Sequence, residues 1–143
     1  MARDGASWSG AGLARIPQQG GTPSVTSGYI HIIDFTDPEN PVDVARYEVE
    51  EFGTHNMWVE DDVLSVAYYE GGVRVVDVSG ELMGNLATQG REMAVYKAFD
   101  PAGFVANAPM AWGPQPYKGY LFFSDFNSGL HAVKIQPRSR PAT

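Results

Sequence analysis

Two segments of the chain are related by an internal repeat. Residues 63–77 read VLSVAYYEGGVRVVD, and an offset of 57 positions places them without a gap on residues 120–134, which read YLFFSDFNSGLHAVK. Under this offset, Leu64 aligns with Leu121 and the turn glycine Gly72 aligns with Gly129. Each copy predicts a strand, a tight turn that ends in glycine, and a second strand. Repeats of this length are typical of solenoids and propellers.

A third, partial copy occurs earlier, where residues 28–34 (GYIHIID) match residues 72–77 with one extra residue. Counting strands between turn signals predicts an all-β partial β-propeller of about two and a half four-stranded antiparallel blades. In chain order, the predicted divisions are a poorly ordered N-terminal segment (1–27), half a blade (28–49), a full blade (55–99), an incomplete blade (107–135) and a polar tail (136–143).

The last copy contains the glycine- and proline-rich stretch GPQPYKG at residues 113–119. Glycine and proline interrupt strands, so this stretch predicts an insertion that lengthens the first turn of that copy. With this insertion, the residue that aligns with His55 is Ala108.

Composition and charge limit the classes of partner. Hydrophobic residues make up 43% of the chain, too many for a disordered one. Ten basic and seventeen acidic residues give a net charge of −7, which argues against nucleic acid as a partner. The chain has no cysteine, which excludes disulfides and thiolate sites. No apolar run reaches the roughly 20 residues of a membrane span, and the first residues do not read as a signal peptide.

Several motifs resemble those of the LVIVD-repeat β-propellers of bacteria. The matching pieces are GTHNMWV at residues 53–59, VAY at 66–68, VRVVD at 73–77 and the turn TDPENP at 36–41. The chain departs from the family pattern where residues 78–81 (VSGE) lack the Asp-Pro of the turn and where Lys134 replaces the repeat Asp. The resemblance implies the C-terminal blades of a longer ring, in a protein that is often exported or attached to the cell surface and whose biochemical role is mostly unassigned.

Few residues in the sequence suggest a catalytic, metal-binding or ligand-binding role. Asp34 and Asp77 end equivalent strands, where an aspartate commonly accepts hydrogen bonds from the backbone of the following turn. His55 opens an inner strand and is expected near the central channel of a propeller, but a metal needs two or three such ligands. No catalytic residue, metal site or cofactor is therefore predicted. The predicted binding residues lie at strand ends near the mouth of the channel: His55, Asn56, Asn107 and Asp125.

The sequence favours a non-catalytic module that binds a protein or a small-molecule ligand. The alternative is part of a propeller enzyme, with a metal or a His/Asp hydrolytic centre at the channel mouth completed by missing blades. A truncated remnant without activity of its own is a third possibility. Missing blades, or further copies of the chain joined through open blade edges, are the other expected partners.

Overall fold

The computed structural model describes the backbone of Ala6–Gly10 and all of residues 28–136. This part of the chain is all-β, as the sequence predicted, and contains no helix. Its strands are β1 (Ala6–Gly10), β2 (Ile30–Asp34), β3 (Val42–Tyr47), β4 (Met57–Glu60), β5 (Val63–Ala67), β6 (Val73–Asp77), β7 (Gly84–Asn85), β8 (Glu92–Tyr96), β9 (Ala111–Tyr117), β10 (Tyr120–Asp125) and β11 (Gly129–Val133). Apart from β1, the N-terminal segment lies outside the described residues, as does the tail after Gln136.

The strands form three sheets. Sheet A has the order β1-β2-β3-β7, sheet B the order β4-β5-β6-β8, and sheet C the order β9-β10-β11. Neighbouring strands are antiparallel except β3 and β7, which pair in parallel over two residues. Sheet B therefore has the four antiparallel strands predicted between residues 55 and 99.

Sheet B packs between the other two sheets. Successive side chains of β5 point to opposite faces, so each face of this strand contacts a different sheet. Leu64 and Val66 join a buried cluster with Ile30 of sheet A, whereas Ala67 joins a second buried cluster with Phe123 of sheet C. Both faces of β5 are thus covered, which explains its almost uninterrupted apolar sequence, VLSVA.

The offset of 57 also relates the strand pairings of sheets B and C. Met57 pairs with Val66, and 57 residues later Pro114 pairs with Phe123. The turns between the first two strands of each sheet correspond as well. Asp61 and Asp62 have positive φ in one turn, and Lys118 and Gly119 have positive φ in the other. Both are two-residue hairpin loops of the kind that fits the twist of the strands.

The predicted insertion at residues 113–119 is wrong. Strand β9 runs through most of it, and the turn consists of Lys118 and Gly119 alone. Pro114 and Pro116 are tolerated because, among the described strands, this part of β9 pairs with β10 alone and lies at the edge of sheet C. Without an insertion, the residue at the position of His55 is Trp112, and not Ala108.

Strands β2 and β6 end in the same way. Each pairing has an irregularity just before the final aspartate, between Ile32 and Ile33 in β2 and between Val75 and Val76 in β6. The Oδ1 atom of Asp34 accepts a hydrogen bond from the backbone N–H of Thr36, and that of Asp77 from the N–H of Ser79. The prediction that these two aspartates hold the following turns is confirmed.

A polar network connects sheets A and B within their shared core. The hydroxyl of Tyr68 donates to the backbone oxygen of Tyr47 at 2.6 Å, and the hydroxyl of Tyr47 donates to the carboxylate of Glu92. Arg74 donates to the same carboxylate oxygen. Burial raises the pKa of both tyrosines, and the hydrogen bond to Glu92 raises that of Tyr47 further. Both hydroxyls therefore stay neutral in the folded protein.

We expect alkaline pH to weaken the packing of sheets A and B. An unfolded tyrosine ionises near pH 10, whereas Tyr47 and Tyr68 resist ionisation when folded. The stability that depends on them is complete below pH 10 and falls as pH rises above it, by about 1.4 kcal/mol per pH unit for each tyrosine. Urea titrations at pH 8, 10 and 11 should show a shallower loss for Tyr68→Phe than for the unmodified chain. Tyr117→Phe is the control, since its ring is exposed, and equal slopes for all three proteins would contradict the expectation.

Candidate binding site

The first strands of sheets B and C begin side by side. The backbone N–H of Asn56 donates to the oxygen of Trp112 at 3.2 Å, and the N–H of Ala111 donates to the oxygen of Tyr69 at 3.1 Å. These bonds join the two sheets at the end where β4 and β9 start. The predicted binding residues His55 and Asn56 lie at this end.

Four rings lie together at this junction, and we refer to them as the ring ladder: His55, Tyr69, Trp112 and Phe126. The ring of Trp112 stacks on that of His55, with centroids 4.7 Å apart and planes 18° apart, and on that of Phe126, at 5.5 Å and 24°. Tyr69 meets the His55 ring edge-on at 5.3 Å. Trp112 is 40% exposed and Phe126 is 72% exposed, so the ladder presents aromatic surface to solvent.

The ring ladder is one aromatic pair that occurs twice. His55 and Tyr69 belong to sheet B, and the offset of 57 carries them to Trp112 and Phe126 in sheet C. The pair lies at the same place in each sheet because the strand register is the same. The side-by-side arrangement of the sheets then brings the two pairs into one stack.

His55 is fixed by the partners around it. Its Nδ1 atom lies 2.9 Å from the backbone oxygen of Trp112, so Nδ1 carries the proton of this hydrogen bond. The backbone N–H of His55 donates to the oxygen of Ala67 at 2.8 Å. The exposed Asn56 follows, with its backbone N–H and oxygen both bonded to the neighbouring strands. Of the four predicted residues, His55 therefore belongs to the ladder and Asn56 lies next to it.

Asp125 holds a turn. Its side chain is 3% exposed, and Oδ1 accepts hydrogen bonds from the backbone N–H of Asn127 and from both the N–H and the hydroxyl of Ser128. Oδ2 accepts the backbone N–H of Met110 at 2.7 Å. Four hydrogen bonds therefore fix this carboxylate, three on Oδ1 and one on Oδ2. The structure places this predicted binding residue at the end of β10, where its side chain holds the turn to β11.

Asn107 lies in the exposed loop that precedes β9. Its φ is +58°, and its backbone N–H donates to the oxygen of Asp100 at 2.8 Å. Asn127 fastens this loop to the turn held by Asp125, because its side chain accepts from the N–H of Val105 and donates to the oxygen of the same residue. The loop that contains Asn107 is thus joined to the turn that follows Asp125 and Phe126.

Asp125, Ser128 and His131 resemble a catalytic triad only in composition. The Ser128 hydroxyl lies 3.0 Å from Asp125 Oδ1 and 2.8 Å from His131 Nε2, so the hydroxyl is the middle member. In a triad, the imidazole lies between the carboxylate and the hydroxyl. The His131 ring also stacks on Phe123 at 5.0 Å. This arrangement holds the turn between β10 and β11.

The sequence did not single out Trp112 and Phe126 as site residues. The four predicted residues, His55, Asn56, Asn107 and Asp125, follow from the expectation that a propeller binds ligands at strand ends near the mouth of its channel. The signal for Phe126 is the aligned repeat, in which the offset of 57 places it on Tyr69. The signal for Trp112 is the same offset, extended without an insertion to the residues before position 63, where it places Trp112 on His55.

Within residues 28–136, no three His, Asp or Glu side chains come close enough together to hold a metal ion. The described part of the chain also has no helix of the length and apolar character needed to cross a membrane. No protein-family model, no curated protein and no solved structure matches this chain.

Proposed function

We propose that this chain is a non-catalytic β-propeller module of the LVIVD-repeat type, which binds a protein partner through the ring ladder. The propeller proposal is supported by the way sheets A, B and C pack face to face in chain order, as neighbouring blades do. The equal register of sheets B and C under the offset of 57 and the shared strand endings of β2 and β6 add to this support.

The observation that supports binding is the exposure of the ladder. Phe126 and Trp112 leave large aromatic surfaces in contact with water, although both residues belong to an otherwise ordered strand junction. Tryptophan, tyrosine and phenylalanine are enriched where proteins bind one another, and a few such side chains contribute most of the affinity. The ladder therefore suits a partner that inserts or receives an aromatic side chain.

The enzyme alternative has less support. It needs a carboxylate or an imidazole that is free to transfer protons or to bind a metal. The carboxylate of Asp125 accepts four hydrogen bonds from the turn that it holds, and within the described residues no group of three His, Asp or Glu side chains that could hold a metal includes His55. Binding through the exposed rings of Trp112 and Phe126 uses side chains whose surfaces are accessible to a partner.

Phe126→Ala is expected to abolish most of the binding of peptides selected on the unmodified protein, without unfolding the chain. Peptides can be selected from a displayed random library on the full-length protein and their dissociation constants measured. A side chain that anchors a partner is worth about 2 kcal/mol or more, so the affinity of the selected peptides should fall by about 30-fold or more. The stability of the variant should change by less than about 0.5 kcal/mol, because the ring is mostly exposed.

Phe99→Ala is the matched control, since Phe99 is also a largely exposed phenylalanine but is not part of the ladder. Selected peptides should bind this variant as they bind the unmodified chain. Peptides that bind Phe126→Ala and Phe99→Ala equally well would show that the ladder is not the binding surface.

A further inference from the structure

A groove opens between sheets B and C at the end opposite the ring ladder. It has a volume of about 440 Å³, within the range of roughly 300–1,000 Å³ that is usual for small-molecule sites. One wall ends in the turn between β4 and β5, with Glu60 and Asp61, and the other in the turn between β9 and β10, with Lys118. The groove is thus formed by corresponding turns of two adjacent sheets.

Ser65 occupies a position at which the packing of sheets B and C favours an apolar side chain. It belongs to the face of β5 that packs on sheet C, between Val63 and Ala67, and it is only 2% exposed. Its side chain lines the groove beside Leu121. Among the described residues, no group forms a hydrogen bond with its hydroxyl, and this oxygen is not enclosed by the protein but opens on the groove. The hydroxyl is therefore available to a molecule that enters the groove.

The mouth of the groove contains hydrogen-bond acceptors and donors together. The carboxylates of Glu60 and Asp61 accept, and the ammonium of Lys118, which lies 5.1 Å from the centre of the Tyr117 ring, donates. A cation would match the carboxylates alone, and an anion would match the lysine alone. A ligand hydroxyl donates to a carboxylate and accepts from an ammonium or a serine, so a single kind of ligand group is complementary to all of them.

We propose that this groove is a binding site for a neutral polyhydroxylated ligand of the size of a monosaccharide. Its hydroxyl groups bond Ser65 on the floor and Glu60 and Lys118 at the mouth, and its carbon atoms cover Leu121. This site lies at the far end of the sheets from the ring ladder and does not depend on the function proposed for the ladder.

The test is a titration of the full-length, ¹⁵N-labelled chain with D-glucose, D-galactose, D-mannose and N-acetyl-D-glucosamine, followed by NMR. At least one sugar should produce saturable shifts of the amide signals of Ser65 and Lys118. Ser65→Ala should weaken that binding at least tenfold, whereas the exposed Ser124→Ala should leave it unchanged. Without sugar, Ser65→Ala should have the same urea midpoint as the unmodified chain or a higher one, because the hydroxyl that it removes has no partner.

Two further variants test whether the sugar binds in this groove and not at the ring ladder. Lys118→Asn removes the ammonium but suits the positive φ at this position, so it should fold and bind sugar several-fold more weakly. Phe126→Ala should bind sugar normally, which separates this site from the ladder. The proposal is overturned if no sugar shifts these signals, if glycine or calcium chloride shifts them and the sugars do not, or if both Ser65→Ala and Lys118→Asn bind as the unmodified chain does.

Discussion

Gly72→Ala is expected to destabilise the protein by about 4 kcal/mol, whereas Gly129→Ala should cost only about 1–2 kcal/mol. The two glycines correspond under the offset of 57, and both have positive φ, +80° and +91°. Any residue with a Cβ is strained in this conformation, which accounts for the smaller loss. The matched pair therefore has the same backbone strain and differs in its surroundings.

The surroundings differ because sheet B has a fourth strand at this place. A Cβ at Gly72 would lie 2.3 Å from the backbone oxygen of Tyr96, next to the pairing of β8 with β6. This oxygen cannot move away without breaking the sheet. At Gly129, no heavy atom of the described residues lies within 4 Å of the corresponding point, since β11 is an edge strand.

Urea denaturation of the two variants measures the difference directly. A loss for Gly129→Ala as large as that for Gly72→Ala would contradict the description of β11 as an uncovered edge. A small loss for Gly72→Ala would contradict the close pairing of β6 with β8.

The strands of sheet B could be predicted from the sequence because the signals for them are local. Alternating apolar residues and turn glycines act within a few positions, and so does the aspartate that ends β6 and bonds the N–H of Ser79 two residues later. Strand β9 was missed because two prolines and a glycine lie in it. Whether such a strand is possible depends on its being at a sheet edge, and that is a property of the whole sheet.

The candidate site was predicted only in part, for a related reason. Asp125 is predicted as a binding residue because it lies at a strand end, but one of its oxygens accepts the N–H of Met110, fifteen residues away in the sequence. No local pattern indicates that bond. The ladder depends on contact between two sheets, and the offset of 57 predicts this contact only if the last copy has no insertion.

Glu92→Gln is expected to destabilise the protein by about 3 kcal/mol, because Arg74 is buried and Glu92 is the carboxylate that it contacts. Arg74 is 8% exposed, and its guanidinium lies near the rings of Phe52 and Tyr68. Burial lowers the pKa of Arg74, but the hydrogen bond to Glu92 and the nearby negative charge outweigh burial and raise it. The arginine thus remains charged, and removing its partner leaves a buried charge uncompensated.

The control is Glu81→Gln, which removes the same charge from an exposed position and should cost less than about 0.5 kcal/mol. Urea denaturation at pH 7 compares the two variants. A loss for Glu92→Gln no larger than that for the control would show that solvent, and not Glu92, compensates Arg74.

A triple variant separates the net contribution of the ion pair to stability from the cost of removing one of its partners. Arg74→Met, Glu92→Met and Tyr47→Phe together remove the charges and the hydroxyl that donates to them, and the remaining side chains can pack as an apolar core. Replacing a buried ion pair in this way is often neutral or stabilising, so the triple variant should be more stable than Glu92→Gln alone. Compared with the unmodified chain, a less stable triple variant would show that the network contributes more to holding sheets A and B together than apolar packing of similar volume can. A triple variant at least as stable as the unmodified chain would show that the network adds no net stability, although it joins Tyr47 of sheet A and Arg74 of sheet B at one carboxylate oxygen.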